Sequence, residues 1–411
     1  MGVCEAPGLM PVEEAIQRML DVVQPISHTT HLPLEETLGR VLAADVISPI
    51  NVPPFANSAM DGYAVKRAEL DARDTLTLAG QSFAGTPFSG ECQPGQCIRI
   101  MTGAELPAGT DTVIMQEETE ANGDQIRFLV RPRAGDNVRP VGDDIHQGEI
   151  VVAKGTRMTA RELPLIASLG IAEIPVVARP KVAFFSTGDE LRPLGEPLAT
   201  GQIYDSNRYG IRALLKQFGC EVLDLGIIPD DPVQLDAAFT QATSAADVLI
   251  TSGGVSVGEA DYTKDILTKQ GEVGFWKIAM KPGKPFAFGK VNETWFCGLP
   301  GNPVSAMLTL YQIVQPMLAQ LSGHTQYQGP QRLPAVAGTV FKKRPGRTDF
   351  QRGIYRVNAQ GQIEVVTTGN QGSGAFSSMH QANCLVILEQ ERGKVQPGEI
   401  VTIEPFNATM Y

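Results

Sequence analysis

The stretch KVAFFSTGDE, running from Lys181 to Glu190, sets a near-continuous apolar strand against a polar, glycine-bearing turn. A run without alternation is buried on both faces, as the strands of a parallel sheet are. The same pairing recurs downstream. A strand ending Leu225-Gly226-Ile227-Ile228 meets Pro229-Asp230-Asp231, and VLITS (248–252) meets Gly253-Gly254-Val255-Ser256-Val257-Gly258-Glu259-Ala260-Asp261. WFCG (295–298) meets Leu299-Pro300-Gly301-Asn302-Pro303, and residues 275–279 add a further strand. Apolar residues at helical spacing over 211–218, 235–245 and 304–321 predict helices between them. Strands alternating with helices predict a sheet covered on both faces, with ligands in the crevice beyond the strands' carboxyl ends.

On the N-terminal side, Val12, Ala15, Ile16, Met19, Leu20 and Val23 predict a helix, and Leu34, Leu38, Val41 and Leu42 predict a second over 34–44. Strands at 97–101, 112–116 and 126–130, separated by turns such as Asn122-Gly123, predict a β-rich lobe. Thr159 with Glu162 is a capping-box pattern opening a helix that stops near Gly170. Past Gly323 the chain becomes short alternating runs, 335–341, 362–367, 385–388 and 400–403, which predict a small all-β domain.

The 411 residues carry a net charge of −11, which argues against generic binding to nucleic acid or anionic membranes. No apolar run approaches the ~18 residues of a membrane span, and the first residues lack a basic-then-apolar leader, so a cytoplasmic protein is expected. The six cysteines form no Cys-x-x-Cys pair and the five histidines lie outside the dense motifs, which disfavours a zinc site or a Ser-His-Asp triad.

Any anion must then be held locally. The turn Ser252-Gly253-Gly254-Val255-Ser256 can present consecutive backbone N–H groups, although a ligand-free tight turn is the commoner use of such a pattern. Asn302 and Pro303 open a helix whose N-terminus adds positive potential. Lys277, Lys281 and Lys284 lie in WKIAMKPGKP; on one strand Lys277 and Lys281 would share a face, giving a phosphate or oxyanion clamp. Glu190, Asp230 and Asp261 each follow a different strand. Singly each reads as a helix N-cap; together they read as a Mg²⁺ or substrate site.

The motifs PPFANSAMDGYA, RIMTGAELP, FSTGDEL, GQIYDSN, TSGGVSVGEADYT, KPGKPFAFG and GLPGNPVSA, in this order across nearly the whole chain, resemble the molybdopterin molybdenumtransferase (MoeA) family, which is similar to the C-terminal domain of gephyrin. One departure is Gly142-Asp143-Asp144, where the family usually has Gly-Glu-Asp; Asp144 remains the matching acid. The resemblance implies a multidomain α/β protein. Residues 1–46 with 146–178 would form a helical N-terminal linker and dimerisation domain, and 47–145 an inserted β-rich lobe. Residues 179–328 would form a three-layer, parallel or mixed α/β sandwich (MogA-like) that binds molybdopterin, and 329–411 a small C-terminal β-barrel.

The implied reaction takes adenylylated molybdopterin and molybdate to molybdenum cofactor and AMP, with Mg²⁺, in a homodimer whose cleft lies between the α/β domain of one subunit and the β lobe of the other. It implies catalytic roles for Asp61, Thr102, Asp144, Glu190, Lys277 and Lys281. Arg139, Ser252, Gly253, Gly254, Ser256, Lys284, Pro300, Asn302 and Pro303 would hold substrate or anion, and Glu190, Asp230 and Asp261 the metal. Contact with molybdopterin adenylyltransferase and other pathway proteins is also implied. Two rival readings are the adenylyltransferase itself, which typically carries a TGGTG-like loop in place of TSGGVSVGEAD, and a gephyrin-like scaffold.

Overall fold

A computed structural model describes residues 8–254 and 271–406. Val12–Val22 forms the expected helix, with Glu13 and Glu14 in its first turn. Its buried residues Val12, Ala15 and Met19 pack into one core with Val314, Met317 and Leu321 from the helical run 303–321. Gln320 ties the two together by donating through Nε2 to the carbonyls of Leu20 (2.7 Å) and Val23 (2.6 Å).

The helix expected over 34–44 does not form. Only the single turn Leu34–Glu36 is helical, of 3-10 type. Gly39, at φ +75°, reverses the chain, and Val41 and Leu42 then bridge Arg157 and Val176. The apolar spacing there serves tertiary pairing, and a left-handed glycine inside it ends any helix. Nearby, Thr29–Pro33 pairs with Glu173–Val177 and Val46–Ile47 with Ile150–Val152, so two distant stretches of chain share one core. Thr159 and Glu162 pair, but not as a full capping box: both the N–H and the hydroxyl of Thr159 donate to the Glu162 carboxylate, while the helix Glu162–Ala167 has Arg161 as its N-cap residue and no side-chain cap.

Between those stretches lies a six-stranded sheet in the order Thr112–Met115, Gly62–Val65, Gln96–Ile100, Thr75–Ser82, Gln125–Phe128, Thr119–Asn122. The three strands expected from the sequence are among them.

The α/β sheet runs Glu221–Ile228, Lys181–Thr187, Val248–Ser252, Thr294–Leu299, Pro285–Val291, Gly271–Lys277. Its first four strands are parallel and its last two antiparallel. Val182, Phe184, Val248 and Ile250 face one core, and Ala183, Phe185 and Leu249 the other. That division is the period-two alternation of a sheet buried on both sides.

One expected strand is corrected. Residues 275–279 are not continuous with Lys281: the sheet strand ends at Lys277. Met10 intervenes, its N–H donating to the Lys277 carbonyl (2.8 Å) and its carbonyl accepting from Ala279 (2.6 Å). Met280–Lys281 then pairs in parallel with Thr348–Asp349 of a different sheet. Lys277 and Lys281 therefore belong to two sheets and share no strand face.

The last long helix is Pro303–Thr309, a π turn at Leu310–Val314, and Gln315–Leu321. Pro316 follows that wide turn, which relieves the clash between its ring and the carbonyl four residues back.

The C-terminal strands Leu333–Ala337, Thr348–Val357, Ile363–Thr367, Cys384–Leu388 and Ile400–Pro405 close into a five-stranded barrel, because Thr348–Val357 pairs with both Ile363–Thr367 and Cys384–Leu388. Buried where barrel meets helix, Glu404 is 0% exposed and accepts from Gln312 Nε2 at 2.6 Å. Burial pushes its carboxyl up to about 7.

Candidate active site

The turns after four sheet strands meet as the sequence implied. A hollow of about 220 Å³ is lined by Thr187, Gly188 and Glu190 after the first strand, and Asp230 after the second. Ser252–Gly254 line it after the third, and Gly301 and Pro303 after the fourth. Each residue is placed by local chemistry. Asp231, not Asp230, caps the helix Pro232–Ala245, accepting from Gln234 N–H at 3.0 Å, which leaves Asp230 for the hollow. There it accepts from the Thr187 hydroxyl. Gly253 sits at φ +96°, and a Cβ on it would lie 2.5 Å from the Thr187 carbonyl oxygen, so only glycine fits this turn against the neighbouring strand. Gly253→Ala is expected to cost more than ~1 kcal/mol of stability, seen as a lower Tm, with distortion of the hollow.

Among the lining residues not anticipated from the sequence are Asp205 and Asn207. Asn207 Nδ2 donates to Ser252 Oγ (2.8 Å) and to the Gly301 carbonyl (2.7 Å), bracing two of the turns. Asp205 is 3% exposed and its Oδ2 has no hydrogen-bond partner among the described residues. Both lie inside GQIYDSN, so the motif marked them, but nothing in the spacing says which of its polar residues turn inward.

Ser256 and Asp261 lie outside the described residues. Asn302 is the N-cap residue of the helix begun by Pro303 and makes no side-chain cap. It is exposed, Pro300 is buried, and neither lines the hollow. Among the described residues no group of three or more His, Cys, Asp or Glu stands ready to hold a metal.

The lysines are elsewhere: none lines the acid hollow, so the expected acids and amines share no pocket among the described residues of one chain. Lys281 lines a second hollow, of about 500 Å³, with Pro282, Asp349, Gln351, Arg352 and Gly372. Its Nζ lies 3.3 Å from Asp349 Oδ2. Lys277 and Lys284 are exposed and line neither hollow.

Arg352, which the sequence did not single out, is 1% exposed. It donates from Nε to Ser378 Oγ (3.0 Å) and from Nη2 to the carbonyls of Asn370 (3.3 Å) and Gly372 (2.9 Å). Burial lowers it to about 10. No carboxylate pairs with it among the described residues, and a buried cation without a counter-charge is costly, which makes it a candidate anion partner. Its neighbours in Phe350–Ile354 (FQRGI) include Gln351, so no apolar contrast in the sequence marked it.

In the β-rich lobe, Asp61 Oδ1 accepts from both the N–H and the hydroxyl of Thr102, each at 2.8 Å. Those two bonds, the backbone one first, hold its carboxyl below the usual carboxylate range. Arg139 sits on a short strand opposite Asn57, and the Asp144 N–H donates to the Val52 carbonyl. None of the four lines either hollow.

Residues 10–170 match the MoeA N-terminal region (domain I and II), 183–320 a probable molybdopterin binding domain, and 334–406 the MoeA C-terminal region (domain IV). A molybdopterin molybdenumtransferase of Haemophilus influenzae is 52% identical over 97% of this chain and 99% of its own length. The chain belongs to the molybdopterin molybdenumtransferase (MoeA) family. A MoeA crystal structure from Pyrococcus horikoshii OT3 shares the fold with a TM-score of 0.83 at 29% identity, covering 97% of this chain and all of that one. Gephyrin of Dictyostelium discoideum is 33% identical over 96% of this chain, which spans 62% of its length. MoeA membership places the chain among enzymes of molybdenum-cofactor biosynthesis. No helix among the described residues is long and apolar enough to cross a membrane.

Proposed function

We propose that this enzyme transfers molybdenum from molybdate onto adenylylated molybdopterin, releasing AMP, as a cytoplasmic homodimer. The observation that carries the reading is the hollow at the strands' carboxyl ends, where Glu190, Asp230 and the unpartnered Asp205 Oδ2 adjoin the Ser252–Gly254 amides. Molybdenum ends on the two sulfurs of the pterin itself, so no cysteine or histidine ligand is required of the protein. The five described cysteines are buried and unpaired, which suits a reducing compartment.

The donors in this hollow are oxygens, and a hard divalent cation takes one or two carboxylates plus substrate phosphate oxygens, so the residues fit Mg²⁺. When bound, held by Glu190 and Asp230, it supplies charge neutralisation at the phosphoanhydride. The chain's own groups do the rest. The Thr187 hydroxyl orients the Asp230 carboxylate, and Asn207 fixes the Ser252 and Gly301 turns against each other. Gly253 and Gly254 let backbone amides approach an anion. Lys281 and Arg352 offer positive charge to an oxyanion in their own hollow.

Asp61, Thr102, Arg139 and Asp144 would enter from the lobe of the second subunit, which accounts for their standing apart from both hollows in one chain. The amino and carboxyl flanks of the lobe, 1–46 and 146–178, would form the domain that carries the dimer. Their shared strand pairs support that division.

AMP released from adenylylated molybdopterin only when molybdate is added tests the reading; adenylate formation from ATP would instead favour the adenylyltransferase. Thr102→Val removes one bond that keeps Asp61 ionised. The acid limb of its pH–rate profile is expected to move to higher pH, with the rate at pH 8 altered less. An unmoved limb counts against Asp61.

A further inference from the structure

A third hollow, of about 560 Å³, opens beside the Lys281 site. It is lined by Lys281, Lys342, Lys343, Arg344, Arg347 and Lys394, and by a single carboxylate, Asp349. That carboxylate is taken: its Oδ2 meets Lys281 Nζ and Gln351 Nε2. Lys342, Arg344, Arg347 and Lys394 form no ion pair among the described residues. Two further acids act on Lys343 without lining the hollow: Glu389, which is paired with Arg392 at 3.5 Å, and Glu391.

The loop carrying the arginines is built, not loose. Lys343 is buried and donates from Nζ to the carbonyls of Arg344 (3.2 Å), Arg347 (2.7 Å) and Gln390 (3.3 Å). The Gly346 N–H donates to the Gln390 carbonyl at 2.8 Å. One ammonium thus holds residues 344–347 in a fixed arch.

In a chain of net charge −11, such a concentration of positive charge has a physical consequence. A small dianion is repelled by the protein as a whole and attracted here, and local potentials of several kT raise its concentration at the mouth of a site. We propose that Lys342, Arg344, Arg347 and Lys394 form an electrostatic basin that gathers tetrahedral oxyanion dianions and keeps the potential positive at the adjoining Lys281–Arg352 hollow. This rests on the reading of that hollow as the oxyanion site. The four residues act through the field and touch no reacting atom, so they are positioning residues.

Exposed charges about 10 Å from a dianion each contribute modestly and are screened within about 10 Å at ~0.1 M salt. Four together are expected to weaken molybdate binding about tenfold when neutralised at low salt. The test is equilibrium titration of the full-length protein with sodium molybdate, comparing the parent with the quadruple variant Lys342→Gln, Arg344→Gln, Arg347→Gln, Lys394→Gln. The double variant Lys342→Gln, Lys394→Gln gives a smaller step, and Lys154→Gln with Lys216→Gln, which makes the same charge change elsewhere as that double variant, serves as control.

The expected result is the tenfold loss at low salt, shrinking towards none near 0.5 M salt, an unchanged control, and an unchanged kcat at saturating molybdate. Equal binding by parent and quadruple variant at low salt overturns the basin, as does a loss in the control equal to that of the double variant. A parent that binds molybdate with this salt dependence yet releases no AMP supports the basin and defeats the reaction proposed above.

Discussion

Lys281→Ala is expected to lose molybdate-dependent AMP release by about a hundredfold or more, the scale at which removing one preorganised electrostatic partner acts in an enzyme site. Lys281 is 45% exposed on its side chain and its partner Asp349 only 2%. The amine is therefore free to meet a ligand while the acid is fixed behind it. Removing the amine takes one partner from a buried acid, which lowers stability, while Asp349 Oδ2 keeps the Gln351 amide at 3.2 Å and the charge of Lys343 nearby, so the fold is expected to persist with a lower Tm. The measurement pairs AMP release with thermal unfolding. Lost activity at a temperature where the variant is still folded is the expected pattern, and full activity removes Lys281 from the reaction.

The second large effect is on stability and has the opposite sign. With Glu404 raised by burial from 4.5 to about 7 in the folded chain, the protonated form is favoured in the native state. Arg332, whose Nε lies 3.8 Å from Glu404 Oε2, pulls the other way without offsetting burial. The contribution to stability is then fully present below pH ~4.5 and is lost as pH rises through the folded value near 7. At ~1.4 kcal/mol for each pH unit separating the folded and unfolded values, the loss is about 3 kcal/mol by pH 8. Glu404→Gln cannot ionise, and its amide oxygen can still accept from Gln312. The variant is expected to exceed the parent by up to about 3 kcal/mol at pH 8 and to match it near pH 4.5. Chemical denaturation at the two pH values decides, and parallel curves would mean that Glu404 does not titrate in this window.

Most strands of the α/β sheet were legible because they are buried on both faces, and uninterrupted apolar runs such as Val182–Phe185 have few other uses; their order, and the strand Pro285–Val291, were not. The acid hollow was legible for a related reason: polar turns at the ends of parallel strands face one side. The short elements were not. Over 34–44 the apolar spacing suited a helix, but Gly39 and the pairing of Leu42 with Val176 decided otherwise. The split between Lys277 and Lys281 was invisible because its cause, Met10, lies far away in the chain. Arg352 went unseen for the converse reason: a charged residue inside a barrel strand reads as a solvated face until burial is known.

Met280–Lys281 is a strand of the barrel donated by the α/β segment. The two halves are stitched by a covalent crossover of two residues, 278–279, so a few degrees of relative tilt would carry Lys281 along with the barrel while Lys277 stayed behind. Chimeras that exchange barrels between relatives should therefore transplant 278–285 together with 329–406, or the exchanged half will arrive without the amine that faces its own buried arginine.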